Sequence, residues 1–317
     1  MKQDQITTRC AGIDVGKRVL DVAVHGQAAT MQVANDAAGI AELMGWLRSV
    51  GATRVGLEAS GGYERAVVKA LHAEGFEVVV HQPLEVRLFA RLKRLKAKND
   101  RIDAELIAAA TARVETVRAA QDPRLQDLAE RFTAYEQVTD QAARLKVFLE
   151  HVTLKDLRRS LMAQIRSLER LKAKLAAGLL AAIKADPELL SRYKLLISLP
   201  GVGPIVAAAL IVRMPELGSM QPGQAAALLG VAPFDRDSGQ HRGQRFIHGG
   251  RSRPRRFVYL AALAAKRCSP GLKAFATRLA ERGKAPKVIL VAVMRKLVEA
   301  ANLVLRRRQP WLQSLAT

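Results

Sequence analysis

The chain has 317 residues, 49% of them apolar, which is enough to fill the cores of two domains and excludes a disordered polyelectrolyte. Lys and Arg number 51 against 29 Asp and Glu, a formal charge of +22 that exceeds what solubility needs and points to a polyanion, nucleic acid first among them. Two cysteines, Cys10 and Cys268, stand far apart and outside any zinc-spaced cluster, which excludes a disulfide scaffold; both read as small buried thiols in a reducing compartment.

The chain opens on M-K-Q-D-Q-I-T-T-R, without the apolar core of a signal peptide. From about residue 9 to 115, strand-like runs alternate with helical ones. Asp14 stands in C-A-G-I-D-V-G-K-R-V-L-D-V-A-V, whose alternating apolar positions predict a strand, a Gly-bearing turn and a second strand. A-A-T-M-Q-V-A, R-V-G-L and F-E-V-V-V-H follow as further strands, and a helix is predicted from Tyr63 to Ala73, stopped by Gly75. Two hairpin-spaced strands followed by βα alternation indicate a mixed sheet with helices on its faces, an order that suits a ribonuclease H-like domain. Glu58 follows R-V-G-L and precedes Ser60, Gly61 and Gly62, so it sits at a strand tip. Asp100 and Asp103 lie in the helical stretch K-N-D-R-I-D-A-E-L-I-A-A-A, where a three-residue separation puts both on one face. Arg91, Lys93, Arg94, Lys96 and Lys98 crowd the approach to that pair, as phosphate contacts would. The plainer readings are a solvated charge run and an acidic pair favoured by a helix N-terminus.

From Pro123 to about Pro187 there is no internal proline and one glycine, Gly178, so the segment is helical. Leu154, Leu157, Leu161, Ile165, Leu168, Leu171, Leu175 and Leu179 recur at steps of three and four, the seam of a coiled coil or helical hairpin. Such a seam serves dimerisation, spacing, or packing on the chain's own domain. Beyond Leu195 the helices become punctuated by Gly and Pro, beginning with L-L-I-S-L-P-G-V-G-P-I-V-A-A-A-L-I, a helix-hairpin-helix pattern whose turn can face a phosphate or can be a tight turn that needs glycine. Its run from 205 to 212 is the longest apolar one, too short to cross a bilayer, and no lipidation signal accompanies the dispersed basic residues; a cytoplasmic protein without a membrane partner is expected. Next comes a Gly-rich loop carrying Ser238 before Gly239, with Arg242, Arg245, Arg251, Arg253, Arg255 and Arg256 around it as candidate nucleic-acid contacts. A serine among arginines could attack a phosphate and store the bond energy as a phosphoserine, or it could be the Ser-Gly turn of a phosphate-binding loop.

Four carboxylates on a basic protein describe a metal site for cutting nucleic acid. Mg²⁺ takes oxygen ligands and keeps some water, and two such ions about 4 Å apart activate the nucleophile and offset phosphate charge. Asp14, fixed on a central strand, is the natural bridging ligand, with Glu58, Asp100 and Asp103 completing the shells.

In this order, G-I-D-V-G-K, L-E-A-S-G-G-Y-E, K-N-D-R-I-D-A, L-P-G-V-G-P-I-V-A-A-A-L and G-V-A-P-F-D-R-D-S-G-Q-H-R-G cover nearly the whole chain and resemble the D-E-D-D transposases. That family includes the Piv/MooV site-specific DNA invertases and the bridge-RNA-guided insertion-sequence recombinases. The resemblance implies an α/β plus all-α protein in three parts: a RuvC-like domain over 1–118, a coiled-coil linker over 119–190 and a C-terminal transposase domain over 191–317. It implies Asp14, Glu58, Asp100 and Asp103 as the Mg²⁺ tetrad and Ser238 as covalent nucleophile, acting on donor and target DNA in a dimer or tetramer around a structured guide RNA. Asn99, where Thr often precedes the first Asp, departs from the pattern outside the tetrad, and Ser252 is a weaker second serine because no glycine follows it. The alternative is a RuvC-like nuclease or resolvase that uses water and has no need of Ser238. An actin-like ATPase would want a second strand-borne Asp-x-Gly loop, and a packaging protein would be indifferent to Asp14. Aromatics make up 4% of the chain, so salt-dependent phosphate contacts rather than base stacking should dominate binding.

Overall fold

The computed structural model describes residues 8–93, 100–117, 122–234 and 245–311. Arg94, Lys96, Lys98, Ser238 and Arg242 lie outside them, and of Asp100 only the helical backbone is described. The chain divides into two compact units, Met1–Gln121 and Asp122–Thr317.

The first unit runs β1 (Cys10–Val15), β2 (Val19–Val24), β3 (Thr30–Ala34), α1 (Ala37–Ser49), β4 (Arg54–Glu58), α2 (Arg65–Ala73), β5 (Glu77–His81), α3 (Pro83–Leu92) and α4 (Asp100–Thr111). Its sheet has the order β3-β2-β1-β4-β5, with β1 to β3 antiparallel and β4 and β5 parallel to β1. This is the expected ribonuclease H-like arrangement. The period-2 alternation sorts residues to two faces. Ala11, Ile13 and Val15 pack with Val55 and Leu57 against Leu43 and Leu47 of α1 and Val67 and Leu71 of α2. The opposite face bears Gly12 and Gly56 and is covered by α4. A Cβ on Gly12 would lie 2.2 Å from the Ala108 nitrogen, and one on Gly56 would lie 1.7 Å from Thr111 Oγ1, so α4 seats directly on the sheet, by backbone at Gly12 and by the Thr111 side chain at Gly56.

The helix predicted from Tyr63 begins at Arg65, because the Glu64 carboxylate is used by the preceding loop. Its Oε2 accepts from the Ser60 amide at 3.2 Å, the Ser60 hydroxyl at 2.8 Å and the Gly62 amide at 2.8 Å.

The second unit is almost wholly helical: α5 (Pro123–His151), α6 (Lys155–Ala185), α7 (Pro187–Ile197), α8 (Pro204–Arg213), α9 (Gln224–Leu229), then the short strands β6 (Pro233–Phe234) and β7 (Phe246–Ile247), α10 (Ser252–Cys268), α11 (Pro270–Glu281) and α12 (Pro286–Arg307). The two strands, paired antiparallel, were not expected from the sequence, where Gly and Arg mask so short a ladder. Phe132 of α5 and Leu179 and Ile183 of α6 share one core with Leu196, Ile211, Phe257 and Val293, so the roots of the helical pair are built into the C-terminal unit. Along the leucine seam, burial is confined to Ile165 and Leu179, with Leu161, Leu168 and Leu175 half-buried and Leu154, Leu157 and Leu171 exposed. Of the two cysteines, Cys10 is buried as expected, whereas Cys268 is exposed because it ends α10 on that helix's solvent side. Among the described residues no helix is long and apolar enough to cross a membrane.

Candidate functional site

The acidic residues of the first unit gather through the register of the sheet. Side chains two apart on a strand share a face, so Asp14 lies on the face of Gly12 and Glu58 on that of Gly56. Gly12 pairs with Gly56 and Ile13 with Leu57 across β1 and β4, and the next position of this register sets Asp14 beside Glu58. Both are half-buried at the ends of their strands. The third element is α4. A Cβ on Gly12 would also lie 2.3 Å from the Ala104 carbonyl oxygen, which places the first turn of α4, with Asp103 half-buried in it, over the strand that carries Asp14. Asp100 begins the same helix. Close approach of α4, available because both strand positions are glycines, thus brings Asp14, Glu58 and the Asp100/Asp103 helix to one face.

Among the described residues no group of three or more His, Cys, Asp or Glu side chains is gathered tightly enough to enclose a metal ion. The donors present are nevertheless all carboxylates, the hard oxygen ligands that Mg²⁺ prefers, and Mg²⁺ commonly takes one or two protein carboxylates and completes its octahedron with water and phosphate. The residues fit such an ion on donor chemistry.

Sequence reasoning missed several residues around these carboxylates. Asp21 is the direct cross-strand partner of Asp14 and so shares its face; its Oδ1 accepts from Gln32 Nε2 at 2.8 Å. The alternation of V-L-D-V-A-V carried that signal. Asn35 Nδ2 donates to the Gly16 carbonyl at 2.9 Å and the Tyr63 carbonyl at 3.2 Å, tying the turn after β1 to the loop after Glu58. In that loop burial alone would push the Glu64 carboxyl up, but hydrogen bonds from Ser60 and Gly62 win and hold it below the usual glutamate range. His81, next to Glu58 in the β4–β5 register, is buried, with Nε2 2.9 Å from Thr111 Oγ1, and that hydroxyl donates to the Ile107 carbonyl at 2.7 Å. Burial pushes its pKa down, opposed by Glu85. Nothing in the local sequence announced the Asn35 contacts or the His81–Thr111 contact, since each joins residues about twenty or more positions apart.

The basic candidates are placed in two ways. Arg91 and Lys93 are exposed at the end of α3, with the Lys93 ammonium 5.7 Å from the Phe89 ring centre, and Arg245 is exposed beside β7. Four others are engaged within the second unit. Arg251 forks onto Glu216 and donates to the Arg213 carbonyl at 2.7 Å. Arg255 donates to the carbonyls of Gly230 and Gly249, both at 3.0 Å. Arg253 and Arg256 reach Glu136 and Asp140 of α5 at 3.3 and 2.6 Å, while their side chains stay about half-exposed. In the helix-hairpin-helix turn, Gly201 has φ +76° and sits against the Ala261 carbonyl, so packing on α10 dictates that glycine. Gly203, with open space around it, caps α8 without a side-chain bond.

Comparison with known proteins finds similar sequences along nearly the whole chain. The chain is 24% identical to the pilin gene-inverting protein of Moraxella bovis over 318 residues, 95% of this chain and 96% of that one. The pilin gene-inverting protein of Moraxella lacunata matches to the same extent. A RuvC structure from Thermus thermophilus aligns with 35% of this chain and 98% of its own at 20% identity, with a TM-score of 0.26. A D-E-D-D transposase model of the IS110 type matches residues 11–157, and the model for transposases of the IS116/IS110/IS902 family matches residues 193–277, so together they cover most of the chain. The chain therefore belongs to the IS116/IS110/IS902 family of transposases and is a DNA recombinase by family.

Proposed function

We propose that this transposase cuts and rejoins donor and target DNA through a phosphoserine on Ser238, at a Mg²⁺-dependent site whose ligands are Asp14, Glu58, Asp100 and Asp103. The observation that carries this is the seating of α4 on Gly12 and Gly56, which gives Asp14, Glu58 and Asp103 a common face. When bound there, Mg²⁺ supplies positive charge against the phosphate oxygens. The carboxylates hold that charge in place, and Asn35 and Glu64 fix the loops on either side of it. The Ser238 oxygen forms a bond to phosphorus as the bond from phosphorus to one strand oxygen breaks; the leaving strand departs as a hydroxyl, taking up a proton in exchange for the one the serine loses. Attack by the hydroxyl of another strand reverses the exchange, restores the serine and joins new partners without an external energy source.

The three-part organisation, 1–118, 119–190 and 191–317, is kept as a functional division into metal site, helical spacer and serine-bearing part. Exposed Val147, Phe148, Leu154, Leu157 and Met162 at the far end of the α5–α6 pair support association with a second copy. Guidance by a structured RNA is carried over from the family resemblance alone. In a strand-transfer assay with Mg²⁺, Asp14→Asn should lower cleavage by about a hundredfold or more. Ser238→Ala should abolish the covalent protein–DNA adduct; continued cleavage by Ser238→Ala would instead mark a nuclease that uses water. A discrete RNA recovered with the purified protein would establish guidance.

A further inference from the structure

The surface beside β6 and β7 combines exposed apolar side chains with cations. Two adjoining cavities, of about 370 and 380 Å³, share a floor of Val231 and Val291 and are separated by Ile247. The first is walled by Pro233, Phe246 and Val288 and rimmed by Arg245, Lys287 and Arg295. The second is walled by Tyr259 and Met294 and rimmed by Arg255 and Arg256. Among the described residues, five cationic side chains and no carboxylate line the two together. Phe246 and Val288 are about half-exposed, and Ile247 and Tyr259 nearly so.

This combination narrows the occupant. Lys287, Val291 and Arg295 recur every four residues along α12, so one helix face offers an apolar centre with a cation on either side of it. An acidic protein helix would match the cations but would bring carboxylates against Phe246, Ile247 and Val288, where they would lose hydration. A nucleotide meets both demands, with a flat apolar face for the walls and a phosphate for the rim. A paired base hides that face inside the stack, so the nucleotide must be unpaired. Position decides between strands: β6 enters and β7 leaves the segment 235–244 that contains Ser238.

We propose that the two cavities form a groove for unpaired nucleotides of the DNA strand next to the phosphate taken by Ser238, with Phe246, Ile247 and Tyr259 contacting bases and Lys287 and Arg295 contacting phosphates. This rests on the proposed function and adds to it a base-contacting subsite with cations, Lys287 and Arg295, that the sequence had not singled out.

The test uses the full-length protein and a short single-stranded oligodeoxynucleotide carrying a fluorescent adenine analogue whose emission reports stacking. Ile247→Asp and Val288→Asp, both at exposed positions, should each weaken binding about tenfold and remove the emission change, since one base contact is worth about that factor. Lys287→Gln with Arg295→Gln, which leaves the apolar walls intact and guards against misfolding of the Asp variants, should weaken binding and flatten its salt dependence while keeping the emission change. Affinities for single-stranded DNA equal to wild type in all three variants would overturn the groove. Loss confined to single-stranded RNA of the same sequence would also overturn it, by showing an RNA site instead. Wild-type protein that neither cleaves DNA with Mg²⁺ nor forms the adduct would sink the proposed function instead; wild type that cleaves, with groove variants that bind normally, would sink this inference alone.

Discussion

At the scale of single residues, the candidate site depends on what two positions lack. Gly12 and Gly56 carry no side chain, and α4 fills that space with its own backbone at Ala104 and Ala108 and with the Thr111 hydroxyl. Gly12→Ala should lower stability by about 1–3 kcal/mol through overpacking and should reduce strand cleavage more than that loss explains, because Asp103 is carried away from Asp14. Thermal unfolding and a cleavage assay below the transition would separate the two effects. Glu64 makes a pH-dependent contribution of predictable sign. Its folded pKa lies below its unfolded value, so the stability it gives the loop is fully present above about pH 4.3 and is lost as pH falls through the lower folded value. Glu64→Gln should flatten that acid limb in a pH series of unfolding midpoints. Asp14 and Glu58 were legible because strand alternation and a Gly-rich tip declare themselves locally. Asn35, His81 and Thr111 were not, since their partners are set by tertiary approach and no local pattern encodes it.

At the scale of elements, the five strands of the first unit and the long helices of the second followed from periodicity, while the break between α5 and α6 had no Gly or Pro to mark it. Residues 152–154 are Val-Thr-Leu, and the turn is held from outside: Arg158 Nη1 donates to the carbonyls of Leu149 at 2.9 Å and Val152 at 2.8 Å. Side-chain capping from the next helix leaves little trace in composition. Three helices are joined by a second polar contact the sequence could not show. Glu136 of α5 is buried, and its Oε2 accepts from Arg213 of α8 at 2.7 Å and Arg253 of α10 at 3.3 Å, while the Arg213 guanidinium lies 5.4 Å from the Phe132 ring centre. Its Oε1 and Arg213 Nε are buried without a hydrogen-bond partner among the described residues. Removing one partner of such a pair costs about 3–5 kcal/mol, so Arg213→Ala should be strongly destabilising in denaturant unfolding. Glu136→Leu combined with Arg213→Met should recover most of the loss, because no charge is then left buried.

At the scale of the whole molecule, the excess of 51 Lys and Arg over 29 Asp and Glu sets how DNA is held. Neutralising six to ten phosphates would make affinity fall by about 10³-fold or more between roughly 50 and 200 mM salt, which a titration series by filter binding or anisotropy would show. Several arginines counted toward that excess at sequence level are already committed to Glu216, Asp140 and backbone carbonyls, so the slope should be shallower than the formal charge suggests. The α5–α6 pair has a different consequence. With 29 residues rising about 1.5 Å each, α5 extends roughly 44 Å, yet its buried residues from Leu125 to Ala142 lie toward one end. The remainder, roughly 14 Å long, is a lever: a tilt of about five degrees where burial ends moves the tip by about 1 Å. Repacking around Phe132 is therefore transmitted along the helix to the exposed end that carries Phe148.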